Sequence, residues 1–241
     1  MNDIRHAFRA LLRAPGFTAV SVATLALAIG ACTAIYSVVH GVLLQPLPYP
    51  DPDAIVQVWQ ISSRGTQNQM SDPNFEDLRD NTRLLGPVGQ YQQGHSMVLA
   101  GDQPLRVAMS RVSAEFFDVF QTAPRTGRLF EPSERVEAAP GAAVISHRLW
   151  TSAFGANADL PSLRLRVGGR PFAIVGVMPP QFDFPLGTDV WAPREQLQRN
   201  PYRTGHNWLA VARLAEGATL DAARAEISPL ARRMKEVLGD E

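Results

Sequence analysis

From Phe17 to Leu44 the chain is almost wholly apolar or small, and no Asp, Glu, Lys or Arg falls between Arg13 and Asp51. A helix crosses the roughly 30 Å hydrocarbon core of a bilayer with about 20 residues. The run is 28 residues long, so it predicts a transmembrane helix over 17–44. Upstream, Ile4, Phe8, Leu11 and Leu12 follow helical spacing while Arg5, Arg9 and Arg13 form a parallel basic stripe. That pattern predicts an amphipathic helix over 1–14 lying at the cytoplasmic headgroups. Pro15-Gly16 is expected to hinge the two helices.

Beyond the span the pattern changes to short alternating runs. Gln45 to Asp53 carries proline at every second position from Pro46 to Pro52, which predicts a stiff, extended linker. Ile55–Ile61 reads as a strand. Asp72 caps a helix with Pro73 at its first position. Ser96–Ala100 and Leu105–Ser113 read as paired strands, and Ala114–Phe120 as a short helix capped by Ser113. Ala143–Ser146 predicts a strand and His147–Phe154 a helix. Arg164–Val167 and Phe172–Val177 read as strands turned by Gly168-Gly169. Val190–Ala192 and Trp208–Leu214 complete the strands. A last helix opens on Thr219, presents Leu220, Ala223, Ile227 and Leu230 on one face, and meets Pro229, expected to kink or divide it. Strands and helices interleave without a βαβ rhythm, so the fold class is α+β, a mixed α/β domain behind one membrane helix. Its borders suggest two lobes, a membrane-proximal one (54–120 with 203–241) and an inserted one (121–202).

Charge sets the direction. Three arginines precede the span and Asp51 and Asp53 follow it, so the N-terminus is expected in the cytoplasm and the domain outside. The run is about twice as long as the apolar region of a signal peptide. Ile29-Gly30-Ala31-Cys32 imitates a lipoprotein processing site, but Thr33–Leu44 continues the apolar stretch, so an uncleaved anchor is the reading. Cys32 is the single cysteine, which excludes disulfides within the chain. Gly30, Ala31, Thr33, Ala34, Ser37 and Gly41 offer close approach to another membrane helix, although small residues are common in such helices anyway. Formal net charge is zero, with 23 basic and 23 acidic residues, and nothing marks a nucleic-acid partner.

Chemical signals are weak. His6, His40, His95, His147 and His206 are scattered without metal-ligand spacing. Ser146-His147 adjoin, but no G-x-S-x-G turn is present, and no phosphate-binding G-x-x-x-x-G-K-[ST] occurs. Glu76, Asp77, Asp80, Asp183 and Asp189 read as surface charges or caps rather than catalytic pairs. Phe116, Phe117, Phe120, Trp150, Phe154, Trp191 and Trp208 are expected in the core. No catalytic, cofactor-binding or metal site is assigned, and the chain reads as a non-enzyme.

Six segments in register resemble ABC-transporter permeases of the MacB/FtsX type, in particular the duplicated orphan permeases of acidobacteria. They are Arg9–Thr18, Leu25–Val39, Leu44–Tyr49, Ser113–Val119, Thr126–Phe130 and Ile174–Pro180. The resemblance covers nearly the whole chain. It implies an N-terminal helix in the inner membrane and a MacB-like periplasmic core domain over 54–241. It also implies a separate ATPase subunit, membrane lipid and other permease helices or chains as partners, with a dimer expected, and export or mechanotransmission as the function. An anchored periplasmic binding or adaptor module is the alternative. Cys32 departs from the Asn common in relatives. The later membrane helices of such permeases are missing from this sequence, which is expected to be a fragment, a truncated product or a subunit completed by another chain.

Overall fold

The computed structural model describes residues 14–39, 48–62 and 64–238. The expected helix over 1–14, Ala14 apart, lies outside them, as do 40–44 of the expected span and 45–47 of the expected linker. The described chain forms two units, divided between Leu47 and Pro48.

The first unit is helix α1, Pro15–Val39. At 1.5 Å per residue its 25 residues extend about 37 Å, enough for a hydrocarbon core. Pro15 and Gly16 are its first residues rather than a hinge before it. A helix leaves its first N–H groups unpaired, so proline costs nothing at that position. Phe17, Val20, Leu25, Leu27, Ile29 and Ile35 are all exposed on it. Thr18, Thr24 and Thr33 each donate their hydroxyl to the carbonyl four residues back, at 2.8–3.0 Å, which hides these polar atoms inside the helix.

In the second unit eleven strands and four α-helices follow. The strands are β1 (Ile55–Val58), β2 (Gln60–Ile61), β3 (Gln67–Asn68), β4 (Leu85–Ala100), β5 (Gln103–Val112) and β6 (Thr126–Gly127), then β7 (Gly141–Ile145), β8 (Leu165–Val167), β9 (Arg170–Val177), β10 (Val190–Pro193) and β11 (Leu209–Leu214). The helices are α2 (Asp72–Asn81), α3 (Phe116–Phe120), α4 (His147–Phe154) and α5 (Leu220–Leu238). Nine strands share one sheet, in the order β1-β11-β4-β5-β10-β7-β9-β6, with β8 against both β4 and β9. That double pairing closes β4, β5, β10, β7, β9 and β8 into a ring. Inward residues of all six strands, among them Val98, Val107, Ile145, Leu165, Phe172 and Val190, form one apolar core, joined by Leu149 and Trp150 of α4. β1, β11 and the first half of β4 extend the sheet beyond the ring, with Phe75 and Leu78 of α2 and Ala223 of α5 packed against Val88, Ala210 and Ala212, while β6 pairs with β9 at the other edge and β2 and β3 form a separate pair. Both stretches expected as lobes contribute to this sheet, since β10 lies between β5 and β7.

Several local expectations shift. The strand expected over 55–61 breaks at Trp59, and β2 pairs with β3 instead. Ser71, not Asp72, caps α2, its Oγ accepting the Asn74 amide at 3.3 Å. Asp72 is thereby free for another role. Glu115 rather than Ser113 precedes α3, and the Ser113 hydroxyl accepts the Gln90 amide at 3.0 Å. The linker is not extended: Pro48–Pro50 bend, Asp51 takes a left-handed φ of 43°, and Pro52–Ala54 make a 3₁₀ turn. Proline fixes φ but not ψ, so the prolines here tighten bends. Thr219 caps α5 as expected, accepting the Ala222 amide at 3.2 Å, and α5 runs on through Pro229 undivided.

Candidate functional site at the membrane exit

The first described residues after the membrane segment are bound into the domain. Tyr49 is buried at 8% exposure in an aromatic cluster, its ring edge-on to Phe120 at 5.0 Å and to Phe182 at 5.6 Å. Its hydroxyl accepts the Asp183 amide at 3.4 Å. Phe116, Phe117 and Phe120 of α3, Phe130, Met178 and Trp191 complete the cluster. Aromatic pairs add about 0.5–1.5 kcal/mol each beyond their buried area, so this is a firm seat.

A buried arginine holds the next two residues. Arg213 of β11 is 5% exposed, and its guanidinium meets carbonyls only. Nε donates to Val119 O at 2.7 Å, Nη2 to Pro50 O at 2.7 Å and Nη1 to Asp51 O at 3.3 Å. One side chain therefore ties the exit segment, the last turn of α3 and β11 together. The site depends on a bulge in β4: between the pairs Leu85–Leu214 and Val88–Ala212, two β4 residues, Gly86 and Pro87, oppose Arg213 alone. Pro87 lacks the N–H that a regular ladder needs, which suits it to the bulge.

A second polar assembly lies across α2. Asp72, Glu76 and Asp77 bind Arg194, Arg199 and Arg203, three cations spaced along one returning segment. Asp72 is 2% exposed. Besides Arg194 it accepts Gln90 Nε2 at 2.9 Å and the Asn200 amide at 2.8 Å. Burial raises its pKa, but Arg194, the Asn200 amide and Gln90 together overcome that and hold the carboxyl below the usual range. The Arg194 guanidinium also lies over the Trp208 ring, 5.2 Å from its centre. Next to it, Glu195 accepts the Ala114 amide at 2.9 Å through Oε1 while its buried Oε2 has no partner. Burial pushes the Glu195 carboxyl up, backbone amides and Arg194 pull it back, and the Glu115 charge adds to the rise.

The residues singled out in the sequence fall into place around these features. Glu76 and Asp77 belong to the strap on α2; Asp80 pairs with Arg79 and Asp189 with Arg148, while Asp183 accepts the Gly187 amide. His95 is exposed, His147 stacks edge-on to Trp150, and His206 Nδ1 meets Gln69 O at 3.0 Å. His6 and His40 lie outside the described residues. Among the described residues no group of His, Cys, Asp or Glu is suited to a metal ion. Cys32 is exposed on α1. The seven aromatics expected in the core are buried there, Phe154 only partly. Arg213 and Arg194 belong to no motif in the sequence. A lone arginine within the apolar strand Leu209–Leu214 was the available signal for the first.

Four of the six segments that carry the resemblance meet at this exit. Tyr49, Phe116 and Val119, Phe130 and Met178 come from these four and share one cluster. Two are also paired strands: Thr126 faces Val177 and Gly127 faces Gly176. No room exists there for side chains, because a Cβ on Gly176 would lie 2.2 Å from Arg128 O.

The described residues thus comprise one apolar helix, long enough to cross a membrane, and a β-rich mixed domain whose entry segment is bound into an aromatic core. The model of the MacB-like periplasmic core domain matches residues 18–230, and the chain belongs to that family. Solved structures share the fold. The periplasmic region of MacB from Actinobacillus actinomycetemcomitans aligns with a TM-score of 0.56 at 13% identity, over 76% of this chain and 84% of that one. A domain of a protein described as a permease from Porphyromonas gingivalis reaches 0.61 at 18%, over 80% and 87%. The extracellular domain of the noncanonic ABC-type transporter YknZ from Gram-positive bacteria reaches 0.57 at 14%, over 78% and 96%. No curated protein matches the chain.

Proposed function

We propose that the chain is the N-terminal part of an ABC-transporter permease subunit that couples a separate cytoplasmic ATPase to its periplasmic domain, for export or mechanotransmission. α1 lies in the inner membrane with its N-terminus in the cytoplasm, other permease helices or a second copy pack beside it, and the domain stands in the periplasm. The observation that carries this reading is the docking of Tyr49, Pro50 and Asp51 into the aromatic cluster and onto Arg213. A flexible Gly/Ser tether would dissipate a displacement, whereas a bent, seated exit hands it to β11 and α3. The stretches 54–120 with 203–241 and 121–202 share one sheet, so they carry the displacement together, with the returning segment held to α2 by Arg194, Arg199 and Arg203. The test is affinity purification of the chain from its native membranes, followed by mass spectrometry and ATPase assay. A co-purifying ATP-binding subunit whose turnover changes in an Arg213→Met variant supports the coupling. Recovery of the chain with no ATP-binding subunit contradicts it.

An apolar groove favours the adaptor as a second reading. It encloses about 290 Å³ between Trp59, Ile61, Met70, Leu78, Ile227 and Leu230. An anchored module binding a periplasmic partner there needs no ATPase, and the same purification separates the two.

A further inference from the structure

The ring of strands has an outer side that the aromatic cluster does not cover, and it is unusual in charge. Arg106 of β5 stands directly across from Met97 of β4, and Arg166 of β8 stands across from both Leu99 of β4 and Pro171 of β9. Arg164, Arg166 and Arg170 line a shallow groove of about 600 Å³ beside them. All four arginines are exposed, and among the described residues none of the four is ion-paired; Arg106 and Arg166 stand on the outer side, whereas Arg170 pairs with the core residue Val167 and stands on the other. Residues 95–108 and 160–175 contain one carboxylate, Asp102, on a chain whose net charge is zero. Met97 is 60% exposed and Leu99 37% exposed on the same side. Exposed apolar side chains framed by one sign of charge mark an interaction surface rather than ordinary solvated surface.

We infer that this face of the ring, Arg106 and Arg166 around Met97 and Leu99 with Arg164 beside them, docks an extended acidic segment of a partner protein in which carboxylates alternate with apolar side chains. Charge complementarity sets the sign of the partner, since the Arg106 and Arg166 guanidinium groups have no carboxylates of their own and suit bidentate pairing, while Arg164, whose Nη1 donates to Pro161 O and Leu163 O, adds its charge. Alternation follows from the surface: Leu99 lies between Pro104 and Arg166 in one row, and Met97 faces Arg106 in the next. A lipid surface fits less well. Neither segment contains Trp or Tyr, the residues that settle at headgroups, and Phe172 is buried. The groove is concave, which suits a chain better than a bilayer plane.

The test uses the full chain in zwitterionic nanodiscs and a fluorescein-labelled peptide alternating Glu with Val, read by anisotropy. Binding is expected to weaken at least tenfold in the Arg106→Glu/Arg166→Glu double variant and about threefold in Leu99→Ser, with Arg64→Glu unchanged. The matching peptide alternating Lys with Val should not bind. A Leu99→Ser variant that binds as wild type does, or equal losses in Arg64→Glu and the double variant, would reduce the effect to diffuse electrostatics and overturn the proposal. Failure of the Glu peptide to bind, or binding of anionic vesicles but not of the peptide, overturns it as well. Unchanged melting of each variant shows that a loss of binding is not a loss of fold.

Discussion

Replacing Arg213 by methionine removes the guanidinium while keeping much of the apolar stem. Two bonds of 2.7 Å and one of 3.3 Å disappear, leaving the carbonyls of Pro50, Asp51 and Val119 without these donors. Hydrogen bonds to a charged group contribute roughly 1.5–3 kcal/mol each, and the longer one contributes least. Against this, the buried cation no longer has to be desolvated, which returns several kcal/mol. The balance is a net loss of about 2–4 kcal/mol. At about 2–4 °C per kcal/mol for a domain of this size, the melting temperature should fall by roughly 4–16 °C. Hydrogen exchange on the same variant should show a local effect first, with faster exchange at Ala54 and Ile55 and at Gln121, while the amides of β7 and β9 keep their protection. Arg213→Lys should lie between the two, because one ammonium cannot reach three diverging carbonyls. A variant that loses less than about 0.5 kcal/mol, with unchanged exchange at Ala54 and Ile55, would show that the exit is not held by Arg213.

Asp72→Asn leaves Arg194 buried without its counter-charge and should cost about 3–5 kcal/mol in denaturant unfolding, more than Asp80→Asn on the surface. Because the Asp72 carboxyl lies below its unfolded value, its stabilisation is full above that value, near pH 4, and is lost as pH falls through the folded value. Wild type should therefore lose its margin over Asp72→Asn in acid. Glu195 has the opposite sign: its folded pKa is raised, so its charge costs stability as pH rises past the unfolded value near 4.3. Glu195→Gln should raise the melting temperature at pH 7 and gain less at pH 4, and an equal gain at both would sink that reading. Gly176→Ala forces a Cβ to 2.2 Å from Arg128 O and should cost at least about 2 kcal/mol, whereas Gly168→Ala meets no neighbouring atom and should cost only the strain of its positive φ.

Local chemistry made some elements plain in the sequence. The span is visible because charge vanishes for longer than any buried helix needs. The β8–β9 hairpin is visible because Gly168-Gly169 supplies two residues with positive φ, 56° and 81°, between alternating runs. The first half of β4 was hidden, since Gly86, Pro87, Gly89 and Gly94 among glutamines look like a loop. Tertiary packing makes it a strand: a Cβ on Gly89 would lie 2.7 Å from Phe116 Cα, so glycine there is a condition of close approach rather than a break. Closure of the ring depends on the three residues of β8 finding two partners, which no local pattern encodes. The exit site divides in the same way. Its aromatics were legible as core, but Tyr49 lay masked among prolines, and the partners of Arg213 are up to 163 residues distant in sequence.

The central claim, a domain outside the membrane entered through a docked exit, is tested most directly by cysteine labelling in whole cells with the outer membrane permeabilised. In a Cys32→Ser background, Asp102→Cys places a thiol on the exposed β4–β5 turn. Impermeant maleimide should modify that thiol with the inner membrane intact, and should modify Arg5→Cys only after the inner membrane is opened. Labelling of residue 102 only after lysis would contradict the account.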